Sequence, residues 1–250
     1  MKFAVIIPAR YASSRFPGKP LARIGGVEMI VRVARQAAKA AETVIVATDD
    51  ERIMQCVEAN GFKAVMTSEK CQSGTDRLAE AVAALDIDAD VIINVQGDEP
   101  FIRPEQIEQL KRCFTDDPEA RIATLVRPFD KSLGFDALFD PNLVKVTFSD
   151  TMKALYFSRS IIPYIRGREW KEWLDAHCFF THIGIYAYRR ETLLEITKLE
   201  RSSLEIAESL EQLRWLQAGI PVNVAVSDYP TIGIDTPADL EAAEKALDGM

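Results

Sequence analysis

Five short apolar runs dominate the first half of the chain, and segments with helical patterning lie between them. The runs are KFAVIIPA at 2–9, TVIVAT at 43–48, FKAVMT at 62–67, DVIINVQ at 90–96 and RIATLV at 121–126. Each is short, mostly apolar and bounded by polar, glycine or proline residues, the pattern of strands buried on both faces. Between them, Met29, Ile30, Val33, Ala34, Ala37 and Ala41 recur at helical spacing within 27–41. Residues 50–60 form a helix that Gly61 can close, and residues 75–86 form another with Leu78, Val82 and Leu85 inward. Pro104 opens a further helix at its first position. Strands and helices in alternation predict a mostly parallel α/β sheet, in which ligands bind beyond the carboxyl ends of the strands. The loops PARYASSRFPGKP (8–20) and QGDEP (96–100) follow the first and fourth strands and so belong at the ligand edge.

The rhythm changes after residue 127. Residues 128–142 are loop-like, and VKVTF, ALYFSRS and THIGIYAY read as strands without long helices between them. The segment 163–178 carries Trp170 and Trp173 among charges. Residues of approximately 128–190 are expected to form an inserted lobe that covers the site and makes a dimer contact. Helix, strand and helix return at 204–218, PVNVAV and TPADLEAAEKAL. A chain of 250 residues, 48% hydrophobic, suits a single domain (1–250) carrying such a lobe.

Charge narrows the ligand class. The net charge is −8, yet residues 1–27 hold Lys2, Arg10, Arg15, Lys19 and Arg23 and no Asp or Glu. An acidic chain with one basic loop suits a small anionic ligand better than nucleic acid. Four dispersed cysteines, Cys56, Cys71, Cys113 and Cys178, read as reduced thiols of a cytoplasmic protein. Pro8 and Arg10 interrupt the apolar start, and no apolar run approaches 18 residues, so neither a signal peptide nor membrane insertion is expected.

The first loop lacks the spacing of a phosphate-binding P-loop and of a dinucleotide glycine fingerprint. Its backbone amides can still cradle phosphate, with Arg10, Arg15 and Lys19 adding charge-assisted bonds; a solvated loop is the plain alternative. In NVQGDEP, Asp98 stands where a carboxylate can hold Mg²⁺, Gly97 permits close approach of a sugar or phosphate, and Gln96 can bond a hydroxyl. A simple Gly-Asp turn fits the same residues. In GIDTPADL, Thr236, Pro237 and Asp239 cap a helix, which leaves Asp235 as a second oxygen ligand or a dipole-stabilising carboxylate. In QSGTDRL, Ser73 or Thr75 caps a helix, and Arg77 with the backbone near Ser73 and Gly74 can read a base or phosphate. His177 and His182 flank Cys178 but do not make a zinc ligand set. Alternation puts His182, Gly184 and Tyr186 on one strand face, as a sugar contact or a core pair. Arg159 has the planar fork that suits a carboxylate, and Glu208 and Glu211 share a helix face that is ordinarily solvated.

The blocks IIPARYASSRFPGKPL, VATDDERI, SGTDRLAE, NVQGDEP, YFSRSIIPY, HIGIYAYR, LEQLR and GIDTPADLE occur in that order. Together, from about residue 3 to residue 245, they closely resemble the 3-deoxy-manno-octulosonate (Kdo) cytidylyltransferase family. The resemblance implies a Rossmann-like nucleotidyltransferase (nucleotide-diphospho-sugar transferase) fold, mostly parallel, with an inserted dimerisation or lid lobe. It implies a homodimer that converts CTP and Kdo to CMP-Kdo and pyrophosphate, for lipopolysaccharide assembly. It also implies CTP contacts at Ala9, Arg10, Ser13, Arg15, Lys19, Ser73, Gly74, Arg77 and Asp98, and Mg²⁺ on Asp98 and Asp235. Kdo would meet Gln96, Arg159, His182, Tyr186, Glu208 and Glu211, while Arg10, Lys19, Asp98 and Asp235 would carry the chemistry. Residues 165–180 match nothing in the resemblance.

Overall fold

The computed structural model describes residues 1–12, 16–85, 87–230 and 233–248. In chain order the strands are β1 (Phe3–Ala9), β2 (Arg23–Ile24), β3 (Val27–Glu28), β4 (Thr43–Thr48), β5 (Lys63–Met66), β6 (Val91–Asn94), β7 (Ile122–Pro128), β8 (Lys145–Phe148), β9 (Ala154–Ser158), β10 (Phe180–Arg189) and β11 (Val222–Val226). The helices are α1 (Met29–Ala37), α2 (Glu51–Ala59), α3 (Gly74–Ala84), α4 (Pro104–Asp116), α5 (Trp173–Ala176), α6 (Arg190–Ile196), α7 (Ser203–Glu208), α8 (Gln212–Gln217) and α9 (Pro237–Asp248). They fall into two compact units: Met1–Glu108 with Ala187–Thr197 and Thr231–Met250, and Gln109–Tyr186 with Lys198–Pro230.

The first unit carries the strand order β6-β1-β4-β5, and its β1–β4, β1–β6 and β4–β5 pairs are all parallel. Ala4, Val5, Ile6 and Ile7 of β1 are fully buried, as a central strand covered on both faces requires. Each such larger aliphatic contributes about 1.5–3 kcal/mol by leaving water. The chain runs outward from β1 through β4 to β5, and α3 then returns it to β6 on the other side of β1. The carboxyl ends of β1 and β6 therefore flank the point where strand order reverses, the place at which such sheets hold ligands. Local chemistry sets the helix starts. Asp50 caps α2 by accepting the Arg52 N–H, and Ser73 and Asp76 form a capping box on α3. The helix expected at 75–86 ends at Ala84, because Leu85 adopts an extended backbone; Leu85 is half-buried rather than inward.

The second unit pairs β7 with β11 in parallel, and β8 antiparallel with both β9 and β10. Its aromatic core gathers Phe129, Leu138, Trp173 and Phe179, so Trp173 is buried while Trp170 stays 43% exposed. The single helix expected over 204–218 is two, α7 and α8. Ser209 takes a left-handed backbone (φ 51°) between them, and the Glu208 carboxylate is drawn to Ser158 and to the Arg159 N–H. The leucine spacing matched one helix because Leu210 and Leu213 are buried in either arrangement. Glu208 and Glu211 consequently share no helix face.

Candidate active site

Three loops of the first unit build a cleft of about 280 Å³ at the β1/β6 switch point. Pro8, Ala9 and Arg10 line it from β1, Gln96, Gly97 and Asp98 from β6, and Ser73, Gly74 and Arg77 from the start of α3. Lys19, after the first loop, and Asp235, ahead of α9, complete it. Gly97 is required by packing: a Cβ there would stand 2.8 Å from the Pro8 carbonyl oxygen. The close approach it permits in the structure is that of the neighbouring strand end.

Asp98 and Asp235 converge on one cation. Lys19 Nζ lies 2.6 Å from Asp98 Oδ2 and 3.2 Å from Asp235 Oδ1. The backbone prepares this meeting. Ile234 N–H donates to the Asp98 carbonyl, while the Asp239 carboxylate accepts the N–H groups of Asp235 and Thr236. Ile234 itself packs with Ile24, Met29 and Ala243. Thr236 and Asp239 thus do the capping, and Asp235 turns its side chain to the cleft. A divalent cation fits this pair, since hard carboxylate oxygens already meet at a point of positive charge. Among the described residues no cluster of three or more His, Cys, Asp or Glu side chains could hold a metal. Mg²⁺ needs only one or two carboxylates when phosphate oxygens and water complete its shell.

The α3 wall is organised differently. Ser73 Oγ accepts the Asp76 N–H, and the Asp76 carboxylate accepts the N–H groups of Gln72 and Ser73. Arg77 is 4% exposed, with Nη2 2.7 Å from Asp49 Oδ2 and Nη1 bonded to Thr67 Oγ1. Asp49 and Thr67 had no role in the sequence reading. Asp49 sits inside VATDDERI, and the adjacent Asp50, which caps α2, hides which of the two carboxylates pairs with the cleft residue Arg77. Glu99, beside Asp98, is buried, and loss of hydration followed by the Asp98 charge pushes its pKa up to about 7. Cys71 also lines the cleft. Burial, then its hydrogen bond to Glu80, raises the thiol to about 11, so it is neither thiolate nor base at neutral pH. Ser13 and Arg15 lie outside the described residues.

Among the sugar-contact expectations, Gln96 belongs to the first unit, where its amide donates to Asn94 Oδ1 at 3.3 Å. The other five belong to the second. There Arg159 and Glu208 clasp each other: Glu208 accepts Ser158 Oγ–H at 2.7 Å and Arg159 N–H at 2.8 Å, while Arg159 Nε donates to the Glu208 carbonyl at 2.6 Å. Nη1 and Nη2 of Arg159 reach the carbonyls of Pro141 and Ser209, so its fork holds main chain. His182 and Tyr186 meet with ring centroids 5.2 Å apart, and Tyr186 packs on Trp215. Burial pushes the His182 pKa down to about 3, so the imidazole is neutral. Glu211 is half-buried at the start of α8.

A reversal point in a parallel α/β sheet, lined by cations, paired carboxylates and a capped helix start, has the chemistry to take a nucleotide. The sequence profile of the cytidylyltransferases matches residues 4–224 and gives the class. Two relatives are similar along nearly their whole lengths. The 3-deoxy-manno-octulosonate cytidylyltransferase of Parabacteroides distasonis is 55% identical over 97% of both chains. That of Bacteroides thetaiotaomicron is 55% identical over 99% of this chain and 98% of its own. The solved structure of CMP:2-keto-3-deoxy-manno-octonic acid synthetase complexed with CTP superposes with a TM-score of 0.91 at 43% identity, covering 100% of this chain and 99% of that one. The chain belongs to the 3-deoxy-manno-octulosonate cytidylyltransferase family. No helix among the described residues is long and apolar enough to cross a membrane.

Proposed function

We propose that the chain transfers CMP from CTP to the anomeric hydroxyl of Kdo, releasing pyrophosphate, and acts as a cytoplasmic, Mg²⁺-dependent homodimer that supplies CMP-Kdo for lipopolysaccharide assembly. The observation that carries this reading is the convergence of Asp98 and Asp235 on Lys19 at the switch-point cleft. It occurs in a chain similar along its whole length to enzymes of that name.

The anomeric hydroxyl oxygen attacks the α-phosphorus in line and its proton passes to solvent; a new P–O bond forms as the bond to pyrophosphate breaks. Both reactants are anions, so the cleft must supply positive charge. Asp98 and Asp235 would hold Mg²⁺, which when bound supplies Lewis-acid charge to the phosphate oxygens. Lys19, which pairs with both carboxylates, is within the same cleft to meet phosphate oxygens of the nucleotide. Together with Arg10 it stabilises the charge of the departing pyrophosphate. The α3 N-terminus at Ser73 and Gly74 offers its positive end to the nucleotide, and Arg77 forms the wall beside it. No covalent intermediate is needed.

The test is pyrophosphate release with CTP and Mg²⁺, with and without Kdo, for the wild type, Asp98→Ala and Asp235→Ala. Release that requires Kdo and collapses in both variants is expected. Release without Kdo, or full activity in either variant, would overturn the proposal.

A further inference from the structure

Asp49 follows β4 and, unlike its neighbour Asp50, caps nothing. Its carboxylate instead joins the cleft residue Arg77 to the start of the first loop. Oδ2 accepts Arg77 Nη2 at 2.7 Å, and Oδ1 accepts the backbone N–H of Tyr11 at 3.3 Å. The ion pair is well shielded, with side-chain exposures of 4% for Arg77 and 12% for Asp49. A second anchor fixes the guanidinium's orientation: Nη1 donates to Thr67 Oγ1, whose own proton goes to the Thr48 carbonyl.

Tyr11 is held as firmly. The Arg52 guanidinium lies 3.5 Å from its ring centroid, and its carbonyl accepts the Gly18 N–H at 3.0 Å. Its ring also fills the space beside Gly18, where an added Cβ would come within 3.1 Å of the hydroxyl. Tyr11 and Gly18 thus close the base of the first loop, and Lys19 follows directly. One carboxylate couples the cleft wall on α3 to the base of the loop that delivers Lys19.

We propose that Asp49 is a positioning residue for the nucleotide, acting chiefly by holding Arg77 in the orientation that meets CTP. This rests on the reading of the cleft as the CTP site. Without the Asp49 charge, Arg77 is a buried cation with one neutral partner, and it must turn toward water or toward the cleft.

The test compares Asp49→Asn, Arg77→Met and the double variant. CTP affinity is measured by calorimetry without sugar, alongside KM for CTP, KM for Kdo and kcat. Each single variant is expected to weaken CTP binding and raise its KM about tenfold, the scale of one hydrogen bond to a charged group, with KM for Kdo within about twofold. The double variant should be no weaker than the worse single, because both act through one interaction. A merely structural ion pair would lower thermal stability and leave the CTP-to-Kdo split unchanged. Unchanged CTP affinity in either single variant, equal rises in both KM values, or multiplicative losses in the double would overturn the proposal. If Asp49→Asn fails to fold, the double variant, which lacks the orphaned cation, is compared with Arg77→Met. Equal CTP affinity then supports the proposal, and a further tenfold loss overturns it. A wild type that binds CTP but releases no pyrophosphate with Kdo would reject the transferase reading, while the calorimetric comparison would still decide the role of Asp49.

Discussion

Replacing His182 by glutamine should abolish a defined part of the chain's acid sensitivity. The imidazole Nε2 lies 3.0 Å from Thr124 Oγ1, and that hydroxyl lies 2.8 Å from the Ile185 carbonyl. The single hydroxyl proton goes to the carbonyl, so Nε2 must carry hydrogen and donate to Thr124. As a residue His182 is half-buried, but its ring packs against Phe157 and Tyr186, and burial pushes the pKa down to about 3 from 6.5. Below pH 6.5 the unfolded chain binds a proton that the folded chain refuses. Stability from this depressed pKa is therefore present above 6.5 and lost as pH falls. The slope is about 1.4 kcal/mol per pH unit, so the loss between 6.5 and 5 is about 2 kcal/mol. That figure requires only a folded-state pKa below 5. Urea unfolding of ligand-free wild type and His182→Gln at pH 7.5 and pH 5 measures it, since glutamine can keep the donor to Thr124 without titrating here. Contributions of other groups, Glu99 among them, are common to both proteins and cancel. The wild type should lose about 2 kcal/mol more than the variant on going to pH 5. Parallel losses would refute the assignment of a neutral, enclosed imidazole.

Glu99 has the opposite sign. Its raised pKa makes the folded chain hold the proton, so stability falls by up to about 3 kcal/mol as pH rises from 4.5 through 7. Glu99→Gln should remove that fall in denaturant titrations of the ligand-free chain, and an unchanged profile would count against it. Gly97→Ala puts a Cβ 2.8 Å from the Pro8 carbonyl and should cost about 1–3 kcal/mol in unfolding experiments while lowering turnover through displacement of Asp98. Asp235→Asn removes one of the two anions on Lys19. Calorimetry in a chelator should find CTP binding as tight as wild type or tighter while turnover drops, and weaker binding there would contradict the pairing. Cys71→Ser should retain most activity in the pyrophosphate assay, because a thiol raised to about 11 supplies no charge at neutral pH.

Legibility followed burial. The strand at 43–48 is observed with the expected limits, and β1 with its start shifted by one residue, because strands covered on both faces leave a continuous apolar record. The cap at Thr236 and the choice of Ser73 or Thr75 ahead of α3 are legible as local side chain to backbone bonds, and the structure selects Ser73; the cap at Asp50 is equally local but was not read. The small β2–β3 hairpin was missed, although Gly25-Gly26 between RI and VE is a hairpin signal; two-residue strands leave no period to count. The break at Ser209 was hidden because its cause, the bonds of Glu208 to Ser158 and Arg159, comes from residues about fifty positions away. Arg77 was selected as a cleft residue, but its hold on Asp49 and Thr67 depends on how β4 and β5 pair, and one-dimensional spacing does not carry that information.

The arrangement of charge in the cleft bears on how a chain of net charge −8 binds two anions. Lys19 and Arg77 each have carboxylate partners within the chain, Lys19 in Asp98 and Asp235, Arg77 in Asp49. Their desolvation is thus offset within the folded chain and is not added to the cost of binding. The two pairs differ in exposure. Asp98 and Asp235 have side-chain exposures of 32% and 49%, so their hold on Lys19 is screened and can be exchanged for phosphate or a divalent cation. Asp49 and Arg77 are shielded, and that pair resists exchange. The Lys19 pairing is therefore the more readily exchanged of the two. The same division runs through the backbone, where Lys19 follows a loop and Arg77 sits in the first turns of a capped helix. On the proposed function, a shielded guanidinium beside a more exchangeable ammonium would let the site recognise the nucleotide with one group and follow the departing pyrophosphate with the other.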